Sequence, residues 1–129
     1  MKLLNATLAM VLLATFFFAC KKETTTGTTG FTGIYQGKWG DITGDPHSFF
    51  KLEFKPGGNL IRYNESGQVT ATGNWVMNGL EVEASYIHNA NNEKHSIKGI
   101  YTDFDGEIMG TWGYGNNKAN GGTFMLKKQ

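Results

Sequence analysis

Cysteine is almost absent from this 129-residue chain: Cys20 is the only one, so an internal disulfide framework is excluded. The chain has only two prolines, and its formal net charge is +1. Apart from two Lys-Lys pairs its basic residues are scattered, so the basic face that nucleic acid requires is not predicted. No apolar stripe with a 3.6-residue period follows Cys20, which argues against helices in the rest of the chain.

Recognisable catalytic patterns are also missing. No Gly-x-Ser-x-Gly sequence occurs, and no serine pairs locally with a histidine in a diagnostic pattern. Glu81 and Glu83 fall on the wet face of a predicted strand and are interpreted as solvated carboxylates. We therefore expect a protein that is not an enzyme and carries no cofactor.

The first informative feature of the sequence is an apolar run over residues 3–19, which is preceded by Lys2 and followed by Cys20. This layout is typical of a secretory signal peptide. As a membrane span the run is marginal, because a transmembrane helix needs roughly 20 apolar residues. The alternative is a plain signal peptide, or an uncleaved anchor, with an incidental cysteine.

The end of this run, Phe17-Phe18-Ala19-Cys20, resembles the lipobox of bacterial lipoproteins, in which a small residue precedes the cysteine that is acylated. The resemblance implies cleavage before Cys20 and a membrane partner reached through its acyl chains. Several chains hold a protein stably, whereas one holds it marginally. Lys21 replaces the Asp that often marks inner-membrane retention, which implies the outer membrane, with the domain facing the periplasm or the cell surface.

Composition then divides the chain into three regions. The signal peptide covers residues 1–19, and the acylated cysteine with a flexible linker covers residues 20–30. That linker is rich in threonine and glycine and has nothing to bury, so it is expected to be a spacer. Residues 31–129 form the domain, which is long enough for one modest core.

In the domain, apolar and polar residues alternate with period two between clusters of turn residues such as Asn78-Gly79 and Asp105-Gly106. Seven breaks predict eight strands, near residues 33–40, 48–55, 60–65, 68–77, 80–88, 94–103, 107–114 and 121–128. Short connections favour antiparallel pairing of successive strands, and closure removes the two sheet edges. The predicted fold is all-β, an eight-stranded antiparallel up-and-down β-barrel, preceded by the signal-peptide helix and the flexible linker.

Two short motifs resemble those of the calycin group of barrels. Gly37-Lys38-Trp39 resembles the Gly-x-Trp of lipocalins and avidins, and Thr102-Asp103-Phe104 resembles the lipocalin Thr-Asp-Tyr. The resemblance implies that Gly37 and Trp39 form a structural plug at the barrel's closed end. The biotin contacts of avidins cannot be matched, so biotin binding is not implied.

A lipocalin-like barrel implies a monomer that binds a small, mostly apolar ligand. A Gly-x-aromatic unit recurs along the predicted strands, and core packing is the first interpretation of its rings. A ligand-binding wall is the second interpretation, with the loops at residues 41–47 and 115–121 at the mouth. The candidate wall residues are Tyr35, Phe50, Phe54, Trp75, Tyr101 and Trp112.

Arg62 is a further candidate ligand-binding residue. If Leu60 faces the interior, Arg62 points inward, as the anchoring cations of fatty-acid-binding barrels do. If Ile61 and Tyr63 face the interior, Arg62 is solvated. Burying an unpaired arginine costs on the order of several kcal/mol, and no inward acid is predicted, so the solvated orientation is favoured.

His88 and His95 flank the fifth hairpin and are expected to approach one another across it. A metal requires three or four ligands, and only His47 remains as a third imidazole, so no metal site is expected. The acidic residues at positions 103, 105 and 107 lack the spacing of a calcium loop and are interpreted as part of a turn.

Two rival functions stay open. An envelope protein-interaction module, such as a protease inhibitor or an accessory subunit, predicts a solidly packed interior and an exposed apolar patch. The candidate patch residues are Ile34, Ile87, Ile100 and Met109. A carbohydrate binder would use exposed tyrosines, with Tyr63, Tyr86 and Tyr114 as candidates. A connected interior cavity of several hundred Å³, roughly, would favour the ligand container, whereas an interior filled by Trp and Phe would exclude it.

Overall fold

The computed structural model describes residues 30–129; the predicted signal peptide, Cys20 and all of the predicted linker except Gly30 lie outside them. The described residues form eight strands, and none of their helical segments has the length and apolar character needed to cross a membrane. The strands are β1 (Gly33–Asp41), β2 (Ser48–Phe54), β3 (Asn59–Tyr63), β4 (Val69–Asn78), β5 (Glu81–His88), β6 (Lys94–Thr102), β7 (Glu107–Tyr114) and β8 (Gly122–Lys128).

Every strand pairs antiparallel with the next, and β8 pairs with β1, so the sheet is a closed barrel. The predicted eight-stranded antiparallel barrel is confirmed, and each strand begins and ends within two residues of its predicted bounds. Closure leaves the sheet without an edge strand. Each strand therefore has a hydrogen-bonded neighbour on both sides.

Alternate connections lie at opposite ends of the barrel. The N-terminal end is where β1 begins, and it carries the connections at residues 55–58, 79–80 and 103–106. The other end, which we call the mouth, carries the connections at residues 42–47, 64–68, 89–93 and 115–121. The two loops predicted to border a mouth do lie at one end.

The N-terminal end is closed by Phe31, which precedes β1 and is fully buried. Its ring lies 4.9 Å from that of Phe54, 5.1 Å from Trp75 and 5.1 Å from Tyr101, between ring centroids. The hydroxyl of Tyr35 donates a hydrogen bond of 2.6 Å to the carbonyl oxygen of Phe31. Edge-on and tilted contacts of this kind add to the burial of apolar area, so this end is sealed by aromatic packing.

In the middle of the barrel, glycines make room for rings. Gly99 and Gly110 face each other across β6 and β7, and a Cβ on Gly99 would lie 3.0 Å from the ring of Phe124. The ring of Phe124 therefore occupies space that a side chain at position 99 would need. This contact supports core packing as the role of the recurring Gly-x-aromatic unit.

Candidate ligand site at the mouth of the barrel

The six candidate wall residues face the interior, but they fill it instead of lining a cavity. All six side chains are buried. Around Phe31, the ring of Phe54 lies 5.4 Å from Tyr35 and 5.9 Å from Trp75. Toward the mouth, Phe50 lies 5.7 Å from Phe124. The interior therefore has no shape that would hold a ligand deep in the lumen.

Four depressions on residues 30–129 lie on the outer wall and at the rim. The one at the mouth has a volume of about 640 Å³, and Arg62 and His88 both line it. Its other polar lining residues include Ser48, Asn64, Glu65 and Thr70. It is the depression that contains the candidate cation, which makes the mouth the candidate site.

Arg62 points into the mouth, so the favoured solvated orientation was wrong. Leu60 is buried on the same face of β3, and the guanidinium carbon of Arg62 lies over three rings. Its distances to the ring centroids are 5.1 Å for Phe50, 5.4 Å for Tyr86 and 5.8 Å for Trp39. Cation–π contacts and partial exposure to water stabilise the charge where no inward acid is present.

A β-bulge lies beside Arg62. The register of β3 and β4 shifts between Arg62 and Tyr63, so that Thr70 has no direct partner in the ladder. Bulges re-aim side chains and often border functional sites. Here Tyr63 donates its hydroxyl to Glu53 on β2, while Arg62 turns to the interior.

The guanidinium of Arg62 has hydrogen-bond acceptors but no acid. Its Nη1 donates to the Tyr86 hydroxyl oxygen at 3.3 Å and to His88 Nε2 at 3.3 Å. None of the ion pairs within residues 30–129 includes Arg62. A half-buried cation without a counter-ion among the described residues gives the mouth a positive local potential.

His88 connects Arg62 to a second histidine. His88 Nε2 lies 3.2 Å from His95 Nδ1, and His95 Nε2 lies 2.6 Å from Glu93 Oε1. The expected approach of the two histidines across the hairpin is confirmed. Because arginine only donates, His88 Nε2 accepts and the ring of His88 is neutral, with its proton on Nδ1.

The environment shifts the pKa values of the mouth residues. Burial, followed by the nearby Arg62 and His95, lowers the pKa of His88, and Glu93 partly opposes this. Burial raises the pKa of the Tyr86 hydroxyl to about 12, although Arg62 pulls it down. Tyr86 is therefore a neutral hydrogen-bonding partner, and His88 resists taking up a proton next to Arg62.

Trp39 is also part of the mouth. It is half-buried, and its ring lies edge-on to that of Trp112 at 4.7 Å. Trp112 Nε1 donates to the carbonyl oxygen of Gly40 at 2.8 Å. Gly37 lets β8 approach, because a Cβ there would lie 1.9 Å from the Met125 carbonyl oxygen. Trp39, for which a plug at the closed end is predicted, therefore lies at the mouth. The opposite, N-terminal end of the barrel is sealed by Phe31.

The remaining candidates from the sequence are dispersed. Tyr86 is buried, so it cannot be an exposed carbohydrate platform. The four candidate patch residues are exposed but do not form one patch. Ile100 and Met109 are direct cross-strand neighbours, and Met125 on β8 extends them into an apolar row. In the described part of the chain no three His, Cys, Asp or Glu side chains are grouped to hold a metal ion.

Sequence reasoning assigned no role to Phe31, Glu93 or the ring of Tyr86 under Arg62. A signal existed for Phe31, since it is the first aromatic residue after the linker and lies four residues before the inward Tyr35. The partners of Arg62 come from β1, β2 and β5, and no local pattern connects those strands to β3.

Comparison of the chain with protein-family models, with curated proteins and with solved structures finds no match. The chemistry of the mouth therefore has to be inferred from its own residues.

Proposed function

We propose that this chain is a lipid-anchored, non-enzymatic protein of the bacterial cell envelope whose barrel binds a small anionic ligand at its mouth. The observation that carries the proposal is Arg62: its guanidinium is held over three rings, faces a depression of about 640 Å³ and has no carboxylate partner within residues 30–129. Arginine is suited to bind a carboxylate because its donors form a planar fork.

Because the interior is filled, long apolar ligands are poor candidates. A long acyl chain would need a lumen, and Phe50, Leu52 and Phe124 already occupy the space behind Arg62. A compact molecule fits better, with its anionic group on Arg62 and an apolar part against Trp39. This revises the mostly apolar ligand that the lipocalin resemblance implies.

The position of the tether supports this assignment. Phe31 enters the barrel at the N-terminal end, opposite the mouth. Acylation of Cys20, as the lipobox resemblance implies, would leave ten residues between the anchor and Phe31. The anchored barrel would then hold its mouth away from the lipid, open to solutes in the periplasm or outside the cell.

Native mass spectrometry of the full chain, extracted with detergent from its own membrane, tests the proposal. We expect a bound small molecule in the wild type and its loss in Arg62→Met, which keeps an unbranched side chain but removes the charge. Lys38→Met, on the outer face of β1, is the matched control and should retain the molecule. Retention of the molecule by Arg62→Met would contradict the proposal.

A second candidate function is supported by one observation. Ile100, Met109 and Met125 form an exposed apolar row across β6, β7 and β8, and the interior behind them is solid. Both features are those of a protein-interaction module. In the same spectra, a stoichiometric bound protein that is lost in Met109→Glu would favour this function over ligand binding.

A further inference from the structure

The N-terminal end carries the most exposed aromatic residue of the described chain. Phe104, in the connection between β6 and β7, is 99% exposed. Leu80, in the connection between β4 and β5, is 55% exposed at the same end. The two connections are adjacent, because the backbone N–H of Tyr101 donates to the carbonyl oxygen of Leu80 at 2.8 Å. Together they present an apolar tip that the barrel does not cover.

The acids beside Phe104 are bonded back to their own loop. Asp103 accepts a hydrogen bond from the hydroxyl of Tyr101 at 3.4 Å, and Asp105 accepts one from the backbone N–H of Glu107 at 3.2 Å. Each carboxylate thus has a local partner. The ring of Phe104 is the most exposed of the large apolar side chains in residues 30–129.

The chain enters the barrel at this end. The ammonium group of Lys128 donates to the carbonyl oxygen of Gly30, which fixes the start of the described chain next to β8. Ten residues separate Gly30 from Cys20, counting Gly30 itself. If those residues form the spacer that their composition predicts, the segment spans roughly 17 Å on average and at most roughly 36 Å. An acylated Cys20 would therefore keep the apolar tip close to the lipid.

We infer that the N-terminal end docks on a lipid bilayer, with Phe104 and Leu80 inserted at the boundary between headgroups and acyl chains. The inference rests on the proposed acylation of Cys20. Apolar side chains beside an anchor add a second membrane contact, which fixes the orientation of the barrel as well as its attachment. Docked in this way, the barrel directs its mouth away from the membrane.

A fluorescent label tests the orientation in the full, acylated chain. Because acylation uses the only native cysteine, Phe104→Cys supplies a single free thiol for an environment-sensitive dye. Ile42→Cys is the matched control, since Ile42 is an exposed apolar residue, 72% accessible, in a loop of the mouth. Both proteins are reconstituted into phosphatidylcholine vesicles that contain spin-labelled lipid, and attachment is checked by flotation and by incorporation of radiolabelled palmitate.

We expect the dye at position 104 to increase in emission roughly twofold or more and to be quenched by the spin-labelled lipid. The dye at position 42 should behave as it does in water. If the protein floats with the vesicles but position 104 stays in water, or position 42 is quenched equally, the docking inference is wrong and the anchor stands. If neither palmitate incorporation nor flotation occurs, the anchor itself is wrong and the inference falls with it.

Discussion

The two ends of this barrel are built from different chemistry. Inside the N-terminal end, Phe31 fits among four aromatic residues, and all five of these rings are buried. At the mouth, Arg62 and His88 are only partly covered, and hydrogen bonds as well as contacts with rings hold them in place. The first arrangement maximises burial, and the second keeps a charge that folding alone does not require. The contrast indicates that aromatic burial stabilises one end, and it agrees with our proposal that the ligand binds at the other.

The largest expected effect is a loss of stability caused by a substitution at the closed, N-terminal end. Phe31→Ala removes a fully buried ring and leaves a cavity among its neighbours, so we expect a loss of about 3–5 kcal/mol in the free energy of unfolding. Urea denaturation of the full chain measures it. Phe104→Ala is the matched control, with an expected change within about 0.5 kcal/mol. Similar values for the two variants would mean that Phe31 does not seal the barrel.

The next effect is on binding at the mouth. Arg62→Met should weaken the binding of a carboxylate probe such as benzoate by roughly tenfold to a hundredfold, the size of a lost charge-assisted hydrogen bond. Calorimetric titration measures the dissociation constant. The neutral amide of the same shape, benzamide, is expected to bind weakly to both proteins. Equal affinity of the wild type for benzoate and benzamide would show that the mouth does not select for charge.

The strands could be predicted from the sequence, but the orientation of Arg62 could not. Alternation predicted every strand, because turn residues and period two are local signals. The short strand β3 offered two consistent faces, Leu60 with Arg62 or Ile61 with Tyr63. The choice depends on rings that β1, β2 and β5 bring under the guanidinium, and on a bulge opposite Tyr63. Those contacts exist only once the barrel has closed.

A smaller effect concerns pH and binding. Burial, followed by Arg62 and His95, disfavours a proton on His88 and lowers its pKa in the free protein. A bound carboxylate would offset that charge and raise the pKa, so binding takes up a proton. Benzoate affinity should therefore increase, by a few-fold, as the pH falls from about 7.5 to about 5.5. His88→Asn should flatten this dependence, and an equally steep profile in that variant would assign the proton to another group.

The smallest effect is on stability. Because the pKa of His88 is lower in the folded state than in the unfolded state, the unfolded chain binds more protons below about pH 6.5. The contribution of His88 is fully present above that pH and is lost as the pH falls. We expect the free energy of unfolding of the wild type to decrease more than that of His88→Asn between pH 7.5 and pH 5.5, roughly the range in which histidine titrates. Parallel pH profiles for the two proteins would contradict this.

The three tryptophans test the difference between the ends most directly. Trp39 and Trp112 lie at the mouth, whereas Trp75 packs against Phe31 at the N-terminal end, so each indole N–H reports on one end. In a titration of the full chain with benzoate followed by nuclear magnetic resonance, we expect the indole signals of Trp39 and Trp112 to shift and that of Trp75 to stay fixed. A shift of Trp75 as large as theirs would place the ligand inside the barrel and contradict a filled interior.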